Sequence, residues 1–147
     1  MIAHKSIGLT FFVPESIEGA GTNFFDTGIS AGFPSPAEDF KEQRLSLDDE
    51  LVKNKEATFY AKVSGQSMIG AGLDDNDLLV IDRSLEPANN KIAVCFLDGE
   101  FTVKRLRVSG GEVWLQPENP NYPIIKITED NNFLIWGIVT NVIKKVY

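Results

Sequence analysis

Four scarcities narrow the reading of this 147-residue chain before any motif is considered. Cys95 is the only cysteine, so no intrachain disulfide can form, which suits a reducing cytoplasm. It sits in the apolar run Lys91-Ile-Ala-Val-Cys-Phe-Leu97 and is expected to be a small buried hydrophobe. His4 is the only histidine and lies near the start of the chain. Ser-His-Asp triads, Cys-His pairs and His-rich metal sites are therefore not expected, and neither a metal nor a cofactor is implied. No apolar run reaches the ~18 residues a membrane helix needs. The stretch from Met1 to Val13 has a short apolar patch but no continuous signal-peptide core. Basic residues are also outnumbered, 14 Lys and Arg against 21 Asp and Glu, for a net charge of −7. Phosphate binding needs clustered cations, so direct sequence-specific DNA binding is not expected, and any role in DNA metabolism would run through protein partners. At 43% hydrophobic residues the chain can build one ordinary globular core without a staple.

Residues 1–35 read as an irregular arm punctuated by Gly8, Gly19, Gly21, Gly28, Gly32, Pro14 and Pro34. Phe11, Phe12, Val13, Phe24, Phe25, Ile29 and Phe33 make it too apolar to stay fully solvated, so the domain body or a partner should cover it. Ser35-Pro36-Ala37-Glu38 is a helix start with a capping box, predicting a helix to about Gln43. A second short helix is predicted after Ser46, whose followers Asp48, Asp49 and Glu50 suit the positive end of its dipole. From Ala57 the aromatic and β-branched bias predicts strands over 58–64, 78–82, 92–97, 100–108, 112–116, 124–128 and 133–143. Asp98-Gly99 between two of them is a two-residue hairpin signal. Short strands at this spacing indicate a mostly-β, barrel-like antiparallel fold with one or two short helices and an extended N-terminal arm.

Two features carry chemistry. Ser64-Gly65-Gln66-Ser67-Met68 closes the strand 58–64, and a glycine turn there can present a hydroxyl beside free backbone N–H groups. Alone, this pattern is common in ordinary loops. Lys104 lies inside Glu100-Phe-Thr-Val-Lys-Arg-Leu-Arg-Val108, sharing a strand face with Thr102, Leu106 and Val108. Alone, it also fits an edge strand whose lysine snorkels to water. Serine needs a base, and in a chain without a usable histidine an uncharged lysine can serve. Such a lysine must be desolvated, at about 1.36 kcal/mol for each unit its pKa falls.

Gly32-Phe-Pro-Ser-Pro-Ala-Glu-Asp-Phe40, Ser64-Gly-Gln-Ser-Met68, Asp77-Leu-Leu-Val-Ile-Asp82 and Asp98-Gly-Glu-Phe-Thr-Val-Lys-Arg-Leu106 occur in this order. Together they resemble the UmuD branch of the LexA/UmuD family of self-cleaving Ser–Lys peptidases, over about residues 29–147. The resemblance implies a homodimeric, mostly-β hydrolase that cuts its own arm once per molecule. It assigns Ser67 as nucleophile, Lys104 as general base, Ala31–Gly32 as the cleaved bond, and the amides of Ser67 and Met68 as the oxyanion hole. Residues 1–31 would be the removed arm and 32–147 the peptidase-like domain. It further implies stimulation by RecA filaments on single-stranded DNA in the SOS response. The shortened form would then join a UmuC-type error-prone translesion polymerase. Alanine stands before the cut bond, as in LexA-type sites, where the UmuD pattern has cysteine. The arm has no helix-turn-helix pattern, so a repressor is not expected. Competing readings are a non-catalytic interaction module of the same fold and a signal-peptidase relative, the latter disfavoured by the missing anchor.

Overall fold

In a computed structural model, residues 4–6, 9–14, 22–25 and 42–146 are described, with backbone alone for 4–6, 22–25 and 42–44. In chain order the strands are β1 (His4–Ser6), β2 (Leu9–Phe12), β3 (Thr22–Phe25), β4 (Glu42–Leu45), β5 (Thr58–Val63), β6 (Leu78–Asp82), β7 (Ile92–Leu97), β8 (Glu100–Ser109), β9 (Glu112–Gln116), β10 (Ile125–Lys126) and β11 (Phe133–Ile143). The chain forms two units, Met1–Pro14 with Asn54–Tyr147, and Glu15–Lys53.

The larger unit is one nine-stranded antiparallel sheet in the order β1-β2-β5-β6-β11-β7-β8-β9-β10. Its central strands are covered on both faces. One face carries Leu9, Phe11, Ala61, Val63, Met68, Leu73, Leu79, Ile81, Val94 and Val103. The other carries Ala93, Cys95, Leu106, Leu115 and Ile138. Val94 and Val103 face one way while Ala93, Cys95 and Leu106 face the other, the period of two expected for paired strands. Phe11, Phe59, Phe96, Phe101 and Trp136 join the first face through edge-to-face ring contacts. Arg83 lies over the Trp136 ring at 4.5 Å and donates from Nε to the Trp136 carbonyl at 2.9 Å.

The strands predicted from residue 58 onward all form. Asp98 (φ 49°) and Gly99 (φ 93°) are both left-handed, which makes the β7–β8 connection the tight hairpin turn that Asp-Gly favours. The Asp98 carboxylate accepts from the Asn131 side chain and from the Asn132 amide, each at 2.8 Å, tying this turn to the start of β11. The expected strand 124–128 shrinks to Ile125–Lys126. Pro123 precedes it, and the Thr128 amide is drawn into a turn by the Asn131 side chain at 2.8 Å. Among the described residues no helix is long and apolar enough to cross a membrane.

Two expectations for the first 45 residues need correction. The stretch read as an irregular arm contains β1, β2 and β3. In β2 the residues Leu9 and Phe11 are buried and alternate with half-buried Thr10 and Phe12, a strand pattern too short to stand out between Gly8 and Pro14. The helix expected as far as Gln43 gives way to strand at Glu42 and Gln43; its predicted start at 35–41 lies outside the described residues. Glu42–Leu45 has little strand propensity of its own. Its pairing with Thr22–Phe25, in register Phe25↔Glu42 to Thr22↔Leu45, decides the matter. The second predicted helix does form as α1 (Leu47–Leu51), with Ser46 Oγ accepting from the Asp49 amide at 3.4 Å.

Cys95 is fully buried as expected, and desolvation pushes its thiol up to about 12, with nearby Lys104 opposing the rise. At pH ~8 roughly one thiol in 10⁴ would then be thiolate. Iodoacetamide is expected to leave the folded chain unlabelled at mildly alkaline pH and to label it stoichiometrically in guanidinium, as read by intact mass. Fast labelling of folded chain would show that the sheet opens at β7.

Candidate active site

Strand β5 ends at Val63, and the chain then turns through Ser64–Met68 instead of extending the sheet. Gly65, at φ 110°, supplies the left-handed step this turn requires. Its amide donates to Asp75 Oδ1 at 3.0 Å, which fastens the turn to the loop before β6. Met68, 3% exposed, drives the far side of the turn into the core. Half-buried Ser67 is thereby left at the rim of a cleft of about 220 Å³ lined also by Leu9, Ser64, Leu73, Glu100 and Phe101.

A second loop braces the turn. Asn119, 8% exposed, donates from Nδ2 to the Gln66 carbonyl at 2.9 Å. The Gly70 amide donates to the Glu118 carbonyl at 2.8 Å. Arg105 holds Glu118 in turn, Nε to Oε1 at 2.5 Å. Because a trans peptide sets C=O and N–H on opposite sides, pinning the Gln66 carbonyl also fixes the direction of the Ser67 amide.

Lys104 comes from β8, which lies between β7 and β9. It is therefore on an interior strand, and the edge-strand reading of this lysine is excluded. Its Nζ donates to Ser67 Oγ at 3.0 Å, to Thr102 Oγ1 at 2.7 Å and to the Val103 carbonyl at 3.1 Å. The side chain is 8% exposed and has no carboxylate among these partners. Desolvation is the largest influence on it and holds its pKa below the ordinary lysine value, with Cys95 opposing. Lys104 also borders a second cleft of about 240 Å³ with Leu97, Glu100, Thr102, Tyr122 and Ile125. Thr102 and Glu100 line both clefts, so the Ser67–Lys104 contact is flanked by open space on two sides.

The structure thus brings Ser67, Met68 and Lys104 together. Ala31 and Gly32 lie outside the described residues. They fall in the connection between β3 and β4, two strands paired with each other in the smaller unit. Sequence reading missed Thr102 and Asn119. Thr102 could have been flagged, being two residues before Lys104 on the same strand face. Asn119 could not, since only the fold places it against Gln66.

The sequence model of the family described as Peptidase S24-like matches residues 23–140. The chain belongs to this family. The chain is 42% identical to protein MucA of Salmonella typhimurium over 119 residues, covering 80% of this chain and 81% of that one. Protein ImpA of Salmonella typhimurium is 42% identical over 121 residues, covering 82% of both chains. The LexA repressor of Paracidovorax citrulli is 40% identical over 116 residues, 79% of this chain and 51% of the repressor. Within the S24 family the chain is a UmuD-like member of the LexA/UmuD group.

Two stability measurements test this geometry. A Cβ on Gly70 would lie 2.6 Å from the Glu118 carbonyl oxygen, a backbone atom that can yield only by moving the bracing loop. Gly70→Ala is expected to cost about 1–3 kcal/mol in urea unfolding. Lys104→Met, compared in a Ser67→Ala background, is expected to be the more stable chain at neutral pH. Between the lowered folded pKa and the unfolded value the unfolded state holds the extra proton, so lysine-bearing chain gains stability as pH rises through that window. Methionine shows no such gain, and the gap between the two should close toward pH ~10.4. A gap that stays constant would mean Lys104 is solvated.

Proposed function

We propose that this chain is a self-cleaving serine peptidase in which Ser67 is the nucleophile, Lys104 the general base and Ala31–Gly32 the bond cut. The observation that carries this reading is the 3.0 Å contact between Lys104 Nζ and Ser67 Oγ, made by a lysine that burial biases toward its neutral form. Neutral Lys104 takes the Ser67 hydroxyl proton as Oγ attacks the Ala31 carbonyl carbon. The amides of Ser67 and Met68 donate to the oxyanion that forms. The held Gln66 carbonyl supports this role, because it keeps the Ser67 amide from turning. Protonated Lys104 then delivers its proton to the Gly32 nitrogen, and the Ala31–Gly32 bond breaks to leave an ester on Ser67. Water, deprotonated by Lys104, hydrolyses that ester and restores the hydroxyl. The products are residues 1–31 and 32–147. Thr102 accepts from Nζ throughout and keeps the amine pointed at the serine.

Kinship with MucA, ImpA and the LexA repressor supports placing the cleavage in the SOS response. In this reading a RecA filament on single-stranded DNA stimulates the cut. The shortened chain, as a homodimer, then serves a UmuC-type translesion polymerase. The net charge of −7 agrees with partners that are proteins rather than DNA.

Purified chain incubated at about pH 7 and about pH 10 is expected to yield a 32–147 product by intact mass, faster at the higher pH. The rate should climb close to tenfold per pH unit while Lys104 is charged, then level off below the ordinary lysine value. Ser67→Ala and Lys104→Ala should both abolish the product. Normal cleavage in either variant would overturn the assignment. Loss of cleavage in all conditions, with RecA, single-stranded DNA and a nucleotide added, would favour a non-catalytic interaction module.

A further inference from the structure

The first fourteen residues belong to the same unit as the peptidase-like sheet. Strand β2 occupies the outer edge of β5, in register from Leu9↔Val63 to Phe12↔Tyr60, and β1 pairs outside it. The pairing is backed by core packing. Leu9 is 3% and Phe11 7% exposed. The Phe11 ring meets Phe101 and Trp136 edge to face, each at 4.9 Å between centroids. Leu9 also walls the cleft at Ser67. Phe12 lines a separate cavity of about 610 Å³ with Tyr60, Leu78 and Ile143. In the smaller unit β3 pairs with β4, so the Ala31–Gly32 bond has a strand of one ladder on either side.

The described residues of segment 1–31 thus form three strands, and two of them pair with strands that follow the bond. Cutting that connection breaks covalent continuity but none of the ladder pairings or buried contacts of the described residues. We propose that fragment 1–31 stays bound to fragment 32–147 after the cut, with Leu9 and Phe11 as its anchors. Cleavage then yields a two-piece complex whose Ser67 cleft keeps its Leu9 wall. Loss of the fragment uncovers the β5 edge and two apolar sockets, a surface that an extended strand with apolar residues at alternate positions would refill. The inference rests on the proposed cut at Ala31–Gly32 for its biological setting, but not for its test.

The test uses the full chain carrying Ser67→Ala, with a recognition sequence for a site-specific protease inserted between Ala31 and Gly32. An added protease makes the cut, so failure of self-cleavage would leave the result untouched. After cutting, native mass spectrometry and gel filtration at micromolar concentration should show both pieces travelling as one species, separable only in denaturant. Backbone amides of Leu9–Phe12 should keep their protection from hydrogen exchange. Leu9→Asp with Phe11→Asp should weaken the complex by at least about 100-fold and free the fragment. If that variant fails to fold before cutting, the unsubstituted nicked chain decides alone. Separation of its two pieces under native conditions, or loss of protection at Leu9–Phe12, would overturn the proposal.

Discussion

A lysine ammonium taken out of water and given only neutral oxygens is the constraint on which this site depends. Lys104 reaches Ser67, Thr102 and the Val103 carbonyl, and no carboxylate is among these partners. An acid placed there would have stabilised the charged form and disabled the base. Neutral acceptors satisfy the donors while leaving desolvation to set the proton affinity. The sheet makes this possible because β8 is an interior strand with apolar layers on both of its faces. Among the described residues no ion pair includes Lys104, although its neighbour Arg105 holds Glu118. Lys144 bridges Asp74 at 2.5 Å and also contacts Asp77, in the loop that carries Asp75.

The division of labour around Ser67 is equally physical. Met68 drives one side of the turn into the core, Gly65 supplies the backbone step no other residue makes cheaply, and Asn119 holds the Gln66 carbonyl. Two segments distant in the chain, the 64–68 turn and the loop that carries Asn119, meet at one peptide plane. A serine in such a turn is positioned by its neighbours' backbone, so its side chain is free to answer to the lysine.

Much of this was readable from Ser46 onward because the information there is local. Alternation, Asp98-Gly99 and the Ser46 cap each act over a few residues, and each appears in the fold. The lack of a usable histidine gave a chemical reason to join a serine to a lysine, and the resemblance to the LexA/UmuD family singled out Ser67 and Lys104. What escaped is non-local. β2 becomes a strand because β5 offers an edge, and Glu42–Leu45 because Thr22–Phe25 lies beside it, which no propensity of Glu42, Gln43 or Arg44 foretells. Asn119 is legible only once Gln66 is known to be its neighbour.

The Asp98-Gly99 turn has a consequence beyond joining two strands. Side chains in a strand alternate, so a slip of one residue between β7 and β8 would carry Lys104 to the opposite face and leave Val103 or Arg105 facing the serine. The turn admits one register, Leu97↔Glu100, and the carboxylate of Asp98 is itself clamped by Asn131 and Asn132. A surface hairpin thus works as an indexing stop, setting which side chain the interior strand turns toward Ser67.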